Sequence, residues 1–357
     1  MQKEIVKQEH YSWIDALRFI SVLLVIIIHV STPLVNNWRD ASFEDFMTGN
    51  IYDSLSRVSV PLFFMVSGYL LLSKQESILD FYRKRVKKIL IPFLAWSILY
   101  LLWEGYYIGG SYSFIGMIKS IIYEIITKPT AIHLWFFYTL IGIYALVPVL
   151  RLFTSVAKGL DLWYFVGLWF LSGPVLLAFE MFTSIDVYDQ FGFLVGYFGY
   201  FLLGYVLAQY SYSRKQALFF FWLYLALAVG TALGTWSFSV QKERLFLYLY
   251  NYLSPNIILM SASIFVVLLY WGRRKLSFVN SRISSLFRLL GNTSFGVYLI
   301  HIMVQTSLHR GYFGFVLNYK IGNPLWSIPL MAVVIYFFSF VIVFLLRKIP
   351  VIRAIVW

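Results

Sequence analysis

Long apolar runs recur along almost the whole chain and are separated by short polar segments. About ten of them are long enough to cross a bilayer as helices, at about 13–31, 57–72, 88–108, 131–152, 160–180, 190–209, 216–238, 254–272, 288–308 and 325–347. Helices that are apolar on all sides must be buried in protein or in lipid. The pattern therefore predicts an all-α, polytopic membrane protein with about ten transmembrane helices.

Two stretches depart from this pattern. Residues 113–127 are amphipathic and lie between Gly110 and Pro129, which predicts a helix at the membrane interface and not a span. Residues 1–12 are polar and are expected to form a cytoplasmic tail. The remainder shows no linker or internal repeat, so we expect residues 1–357 to form a single integral-membrane domain.

The charged residues set the predicted orientation. The chain of 357 residues is 60% hydrophobic and 13% charged, with a net charge of +13. Roughly 20 of the Lys and Arg side chains fall in the tail and in alternate loops, and about 8, Arg57 among them, fall in the opposite loops. This bias places both termini in the cytoplasm and accounts for the net charge without a nucleic-acid partner.

The first apolar run carries three ionisable residues, Asp15, Arg18 and His29. In a helix, residues 18 and 29 are separated by about 1100°, or three turns plus about 20°, and by about 16.5 Å along the axis. Asp15 lies one turn before Arg18 on the same face. Because such residues are costly in hydrocarbon, we expect this face to look into a cavity lined by protein or water.

Two further histidines are predicted at a similar depth. His133 begins the fourth run and His301 lies well inside the ninth. Each can simply form a hydrogen bond that packs helices together, but the shared depth favours a common site. Imidazole takes and gives protons near neutral pH, which suits general-base activation of a hydroxyl. A three-histidine metal site is the competing interpretation; no His pair at i,i+4 spacing supports it, so we assign no metal ligands.

The absence of cysteine narrows the chemistry. It excludes a thiol nucleophile, a disulfide framework and a thiolate metal site. No Gly-x-Ser-x-Gly turn is present either, so general-base chemistry is the simplest that the residues support.

A basic segment, Phe81-Tyr-Arg-Lys-Arg-Val-Lys-Lys-Ile-Leu-Ile-Pro92, precedes the third apolar run on the predicted cytoplasmic side. It either anchors the helix on anionic lipid or, through Arg83, Arg85 and Lys88, binds phosphates. A cytoplasmic ligand with several phosphates and a long thin arm would contact this segment and Arg18 and extend towards His29. Coenzyme A has that shape.

These motifs together resemble the membrane acyltransferase-3 family. The resemblance is carried by the Arg18 to His29 spacing, by Val58-Ser-Val-Pro-Leu-Phe-Phe-Met-Val-Ser-Gly-Tyr69, by the basic segment ending at Pro92, by His133-Leu-Trp-Phe136 and by Ser294-Phe-Gly-Val-Tyr-Leu-Ile-His301. The second block looks most like the stand-alone branch of the family, which includes the enterobacterial common antigen O-acetyltransferase.

The resemblance implies a multi-pass inner-membrane O-acyltransferase, expected to be an O-acetyltransferase. It implies acetyl-CoA or another acyl-CoA as donor, and a hydroxyl of a surface polysaccharide or of its lipid-linked precursor as acceptor. It implies catalysis by His29 and donor binding by Arg18, Arg85 and Lys88. We add Asp15 and Arg83 to the donor side and predict His133 and His301 as further catalytic residues, which orient the acceptor. Tyr69, Tyr298 and Trp135 are predicted on the acceptor side. No permanently bound cofactor is expected, and the partners are membrane lipids and polysaccharide-synthesis proteins.

Two other functions remain compatible with the residues. Intramembrane ionisable groups and a basic cytoplasmic rim also suit a transporter or flippase of a polysaccharide intermediate. A structural subunit of a synthase complex is favoured only if the face carrying the histidines contacts lipid.

Overall fold

A computed structural model describes residues 2–105, 114–183, 185, 196–274, 281–318 and 321–356, and only the backbone of residues 2–12, 114 and 281. This part of the chain is helical and contains no strand. We number its α-helices in chain order as α1 Gln2–Asn36, α2 Phe43–Ser56, α3 Ser59–Leu72, α4 Ile78–Arg85, α5 Ile91–Trp103, α6 Phe114–Thr127, α7 Trp135–Val156, α8 Leu160–Phe170, α9 Leu176–Thr183, α10 Phe198–Leu207, α11 Arg214–Gln241, α12 Pro255–Arg274, α13 Ser281–His309, α14 Pro324–Leu346 and α15 Pro350–Val356.

Short irregular helices join some of these elements. π-helical turns at Val86–Leu90 and Leu171–Val175 connect α4 to α5 and α8 to α9, and 3₁₀ turns at Ile132–Leu134 and Tyr248–Tyr250 precede α7 and α12. Such turns inside longer helices are often found at functional sites. The one at Val86–Leu90 holds Lys87 and Lys88 of the basic segment.

Eight helical segments among the described residues are long and apolar enough to span a bilayer. They are Trp13–Asn36, Phe43–Leu72, Ile78–Trp103, Ile132–Val156, Leu160–Thr183, Arg214–Gln241, Tyr248–Arg274 and Pro324–Leu346. A shorter apolar helix, α10, is also present. In the sequence it comes soon after residues 186–195, which are outside the described part of the chain. The predicted all-α, multi-pass membrane fold is confirmed; the count of about ten spans and the cytoplasmic placement of both termini stay predictions.

The second span corrects one detail of the sequence interpretation. Residues 57–72 were expected to span alone, with Arg57 in an outer loop. Instead α2 and α3 form one span, Phe43–Leu72, and Arg57 stands at the break between them. The prediction was wrong because the polar residues of α2, Asn50 and Asp53 among them, face the protein interior and not water.

The first helix lies at the centre of the packing. α1 contacts α2, α3, α12, α13 and α14. It approaches α13 so closely that a Cβ at Gly291 would overlap the Asp15 backbone and Cβ, so only glycine fits there. α3 and α10 meet in the same way, with Gly68 against the backbone of Phe201.

The remaining sequence expectations concern the ends of elements. The backbone of residues 2–12 continues α1, although nothing is described of the side chains there, His10 included. Residues 114–127 form helix α6, and residue 113, the first residue of the predicted amphipathic helix, lies outside the described part. Exposed isoleucines such as Ile115 and Ile126 line this helix. Its place at the membrane interface stays a prediction.

Candidate active site

Three helices bring the three predicted histidines together. The ring centroids of His29, on α1, and His301, on α13, are 5.3 Å apart. His133, in the turn before α7, lies 4.9 Å from His301. His133 and His301 are buried, whereas His29 is only half-buried. The cluster therefore has two enclosed imidazoles and one histidine whose side chain is partly exposed.

Backbone carbonyls orient the two enclosed rings. His301 Nδ1 donates to Tyr298 O at 2.6 Å, and His133 Nε2 donates to Leu299 O at 3.2 Å. A carbonyl oxygen only accepts, so the neutral rings carry their lone pairs on His301 Nε2 and His133 Nδ1. Both of these nitrogens are buried and have no hydrogen-bond partner among the described residues. They are available to a donor such as a hydroxyl group or a water molecule.

Two tyrosines hold this arrangement in place. The Tyr298 hydroxyl donates to His133 O at 2.7 Å, and the Tyr100 hydroxyl donates to Leu299 O at 2.8 Å. The Tyr298 ring lies 5.4 Å from the His133 ring and 5.6 Å from the His301 ring. Tyr298, predicted as an acceptor-side residue, thus packs directly on two of the histidines.

A cavity of about 370 Å³ lies on the other side of Tyr298. It follows α13 from Gly291 to Tyr298, a distance of about 10 Å along a helix axis. Most of its wall is apolar or aromatic, and its polar and charged lining residues are Arg18, Ser67, Tyr144, Asn292, Ser294, Tyr298 and Arg347. The cavity therefore joins two arginines at one end of the helices to the residue that contacts the histidines.

Cations surround the arginine end of this cavity. Arg18 forms an ion pair with the buried Asp15 at 3.4 Å. The Arg85 guanidinium lies 5.3 Å from the Tyr144 ring, which lines the cavity, and Lys88 lies within electrostatic range of both Arg85 and Arg18. Such a cluster attracts a ligand with several negative charges.

The other predicted donor-side cation is placed differently. Arg83 is exposed on α4 and does not line the cavity. Its neighbour Lys84 is bound to Glu76, with Nζ–Oε2 at 2.6 Å. The basic segment is thus divided, and only part of it lies near Arg18.

The structure separates two predicted acceptor-side residues from each other. The Trp135 ring stacks on Tyr252 at 5.7 Å and lies 5.4 Å from Tyr197. Tyr69 instead packs on Trp13 at 5.8 Å, at the opposite end of α1 from His29. Tyr69 is therefore not brought to the histidines.

An intramembrane ion pair lies near the histidines and was not singled out from the sequence. Arg57 Nε binds Asp53 Oδ1 at 2.5 Å, and the Thr32 hydroxyl donates to Asp53 Oδ2 at 3.3 Å. The Arg57 guanidinium lies 4.4 Å from the Tyr250 ring and 5.8 Å from the Tyr252 ring. A sequence signal existed, because an Asp and an Arg at i,i+4 spacing form such pairs on a helix.

Arg347 is a second residue that the sequence interpretation missed. The sequence analysis assigned it no role in the site, yet it lines the same cavity as Arg18. Its Nη1 donates weakly to Asn292 O at 3.4 Å, which leaves most of the guanidinium donors for a ligand. Nothing in the local sequence distinguishes it from Lys348 or Arg353.

The histidine cluster does not form a metal centre in the part of the chain that the structure describes. No group of three His, Asp or Glu side chains there is placed to hold a metal ion. The arrangement instead offers lone pairs to a hydrogen-bond donor.

Comparisons with known proteins extend this description. A family model described as an acyltransferase domain matches residues 11–348. An amino-acid racemase of Enterococcus faecalis is 33% identical over 132 residues, which are 36% of this chain. The chain spans only 17% of the length of that curated relative. No solved structure matches the chain.

Proposed function

The chain belongs to the acyltransferase family whose domain model covers residues 11–348, and from this premise we propose that it is an O-acetyltransferase of the inner membrane. It takes the acetyl group from acetyl-CoA and transfers it to a hydroxyl of a surface polysaccharide or of its lipid-linked precursor. The family and the spans support membrane acyltransferase activity. Our proposal adds that acetyl-CoA is the donor, that a glycan hydroxyl is the acceptor and that the protein lies in the inner membrane.

One observation carries the proposal. A cavity with Arg18 and Arg347 at one end reaches Tyr298 at the other, and Tyr298 packs against His133 and His301. This is the arrangement that a polyphosphate donor with a thin reactive arm requires. Its charged head would bind the arginines, and its thioester would lie near the imidazoles.

The phosphates of the donor would bind cations from three parts of the chain. Arg18 and Arg347 line the cavity, while Arg85 and Lys88 lie close by on the basic segment. Guanidinium groups bind phosphate oxygens through two parallel N–H bonds, which orients the head as well as attracting it. The apolar wall formed by Phe136, Phe137 and their neighbours suits the uncharged arm.

The reaction requires one proton to move twice. His29 takes the proton of the acceptor hydroxyl while its oxygen attacks the thioester carbonyl. The tetrahedral intermediate then loses coenzyme A by breaking the C–S bond, and the leaving thiolate recovers the proton from the imidazolium. His29 suits this role because its side chain is half-buried, whereas the lone pairs of His133 and His301 orient donor groups of the substrate.

A saccharide acceptor would approach from the side of Trp135. Trp135, Tyr197 and Tyr252 are partly exposed aromatic residues in mutual contact, and sugars commonly lie on such rings. The ion pair of Arg57 and Asp53 adjoins Tyr252 and adds polar partners for hydroxyl groups. Polysaccharide-synthesis proteins would supply the acceptor.

The test is incubation of membranes with radiolabelled acetyl-CoA and glycan acceptor. We expect the wild-type protein to move the label to glycan, and His29→Ala to abolish the transfer while the protein stays in the membrane. His309→Ala is the matched control, because it removes a histidine at the end of α13, outside the cluster. Normal transfer by the His29→Ala variant would refute the assignment.

A transporter or flippase is the second candidate. It is favoured by the break between α2 and α3, where a buried ion pair lies inside a span. A transporter would leave the label on the donor in the same experiment. That outcome would favour the transporter over the acyltransferase as the function of this chain.

A further inference from the structure

Pro33 interrupts the hydrogen bonding of α1 beside the histidine cluster. It lies inside the helix, four residues after His29. Proline has no backbone N–H, and its ring presses against the carbonyl of the residue four positions earlier. The carbonyl of His29 therefore has no hydrogen-bond donor within its own helix.

Gln305 supplies that donor from another helix. Its Nε2 donates to His29 O at 3.0 Å, and the side chain is buried. A carbonyl cannot donate, so the amide nitrogen must be the end that faces it. Gln305 lies on α13 one turn beyond His301, so this bond ties the backbone of one histidine to the helix that carries another.

The carbonyls just before His29 are also satisfied by side chains. The hydroxyl of Ser31 donates to Ile27 O at 2.9 Å, and that of Thr32 donates to Ile28 O at 2.6 Å. Ser31 and Thr32 form hydrogen bonds within their own helix, whereas Gln305 forms its hydrogen bond from α13 to α1. In hydrocarbon every backbone polar group needs such a partner, because no water replaces it.

We infer that Gln305 is a positioning residue for acyl transfer, which locks α1 at Pro33 so that the His29 imidazole stays in register with His301. This inference rests on the proposed function of His29. Loss of the amide leaves a buried carbonyl without a donor and frees this part of α1 to shift. A shift of about 1 Å at a catalytic group costs on the order of 100-fold in rate.

The first test is Gln305→Met, which keeps an unbranched side chain of similar length but removes the amide. We expect kcat for acetyl transfer to fall about 10- to 100-fold, because His29 is displaced. The KM for acetyl-CoA should stay unchanged, because Gln305 does not line the cavity. Gln209→Met is the matched control at an exposed position. If Gln305→Met does not accumulate in the membrane, Gln305→Leu removes the donor with another apolar side chain and is measured in the same assay, with the same expected loss of kcat.

The second test separates positioning from general destabilisation. Pro33→Ala restores the N–H that His29 O lacks, so the Gln305 bond becomes dispensable. In the Pro33→Ala background we expect Gln305→Met to lower kcat by less than about 3-fold. Substitutions at residues that act on the same group are not additive, and a double-mutant cycle measures this. A purely structural role of Gln305 would give the same loss in both backgrounds.

Two outcomes would overturn the inference. One is wild-type kcat in Gln305→Met, and the other is an equal loss with Pro33 and with Ala at that position. These two outcomes differ from failure of the proposed function. If the proposed function is wrong, the wild-type protein transfers no label to glycan, or the His29→Ala variant still transfers it. The inference fails by itself when His29→Ala is inactive and Gln305→Met is fully active.

Discussion

At the scale of single residues, the three imidazoles occupy different environments. His133 and His301 each donate a hydrogen bond from one ring nitrogen to a backbone carbonyl. This bond defines which of the two nitrogens carries the lone pair. His29 instead has a half-buried side chain. A group that exchanges protons with a substrate needs access to it, whereas a group that orients a substrate needs rigidity. The two kinds of histidine meet these two needs.

Arg347 provides a prediction at this scale. Arg347→Ala should raise the KM for acetyl-CoA about 10- to 100-fold, the effect of losing a charge-assisted hydrogen bond to phosphate. Arg18→Ala should act in the same direction. Both are measured as the donor dependence of label transfer.

The control for Arg347 is Arg353→Ala. Arg353 is an exposed cation near Arg347 that does not line the cavity. It should leave the KM within about 2-fold of wild type, as surface substitutions generally do. Equal effects of the two substitutions would show that general positive charge, and not the cavity, attracts the donor.

At the scale of elements, the helices that carry the site are interrupted. α1 contains Pro33, the second span breaks at Arg57, and a π turn separates α4 from α5. Each interruption leaves backbone groups without regular helical partners, and side chains supply several of them. In α1 the carbonyl left without its helical donor is that of His29, and Gln305 supplies the donor. The interruptions lie near the histidines and the basic segment, where a ligand would bind.

The link between α3 and α4 provides a second prediction. Glu76 binds Lys84 and Arg151 at 2.6 and 2.9 Å, and Arg151 Nε also donates to Leu71 O. Burial opposes ionisation of Glu76, but the hydrogen bonds from Lys84 and Arg151 outweigh it and lower the pKa to about 2, from an ordinary value of 4.5. Because the folded-state pKa is the lower one, the stabilisation is complete above about pH 4.5 and is lost as the pH falls towards 2.

Glu76→Gln should therefore lower the free energy of unfolding at neutral pH by on the order of 1–3 kcal/mol. The difference from wild type should disappear between about pH 4.5 and pH 2. Thermal unfolding of the detergent-solubilised protein across this range measures it. Glu44→Gln, at an exposed position, is the control. A difference that persists at pH 2 would show that charge on Glu76 is not its source.

At the scale of the whole molecule, the predicted topology places most of the positive charge on one side of the membrane. Most of the Lys and Arg residues belong to the tail and to alternate loops, and the arginine end of the cavity lies at that end of α1 and α14. Acyl donors made in the cytoplasm would therefore meet the cavity directly. This geometry requires both termini to face the cytoplasm.

The absence of cysteine makes that orientation simple to test. Single cysteines are introduced at Asp40, in the loop after α1, and at Gln75, in the loop before α4. In intact cells, a membrane-impermeant thiol reagent should label Asp40→Cys and leave Gln75→Cys unmodified. Permeabilised cells, in which both react, provide the control. The reverse pattern would place the donor cavity on the wrong side of the membrane.

The predictable part of the site depends on local spacing. The Arg18 to His29 interval places both on one helix face, and the matching depths of His133 and His301 favoured their meeting. The interval between Arg18 and His29 could not show that Arg347 lines the same cavity as Arg18, since Arg18 and Arg347 lie at opposite ends of the chain. Nor could it show that Arg57 is buried, because polar residues before it resemble those of a loop.

The sequence by itself determined the membrane fold, the family and the position of each histidine along its helix, because apolar length and helical period are local properties. Only the tertiary structure decided which helices meet: that Gln305 reaches the His29 carbonyl, that Tyr298 both lines the cavity and contacts two of the imidazoles, and that Tyr69 packs elsewhere. The reason is physical. Contacts between helices depend on how whole surfaces pack, and close approaches such as Gly291 on Asp15 select one arrangement among many that the same helical faces allow.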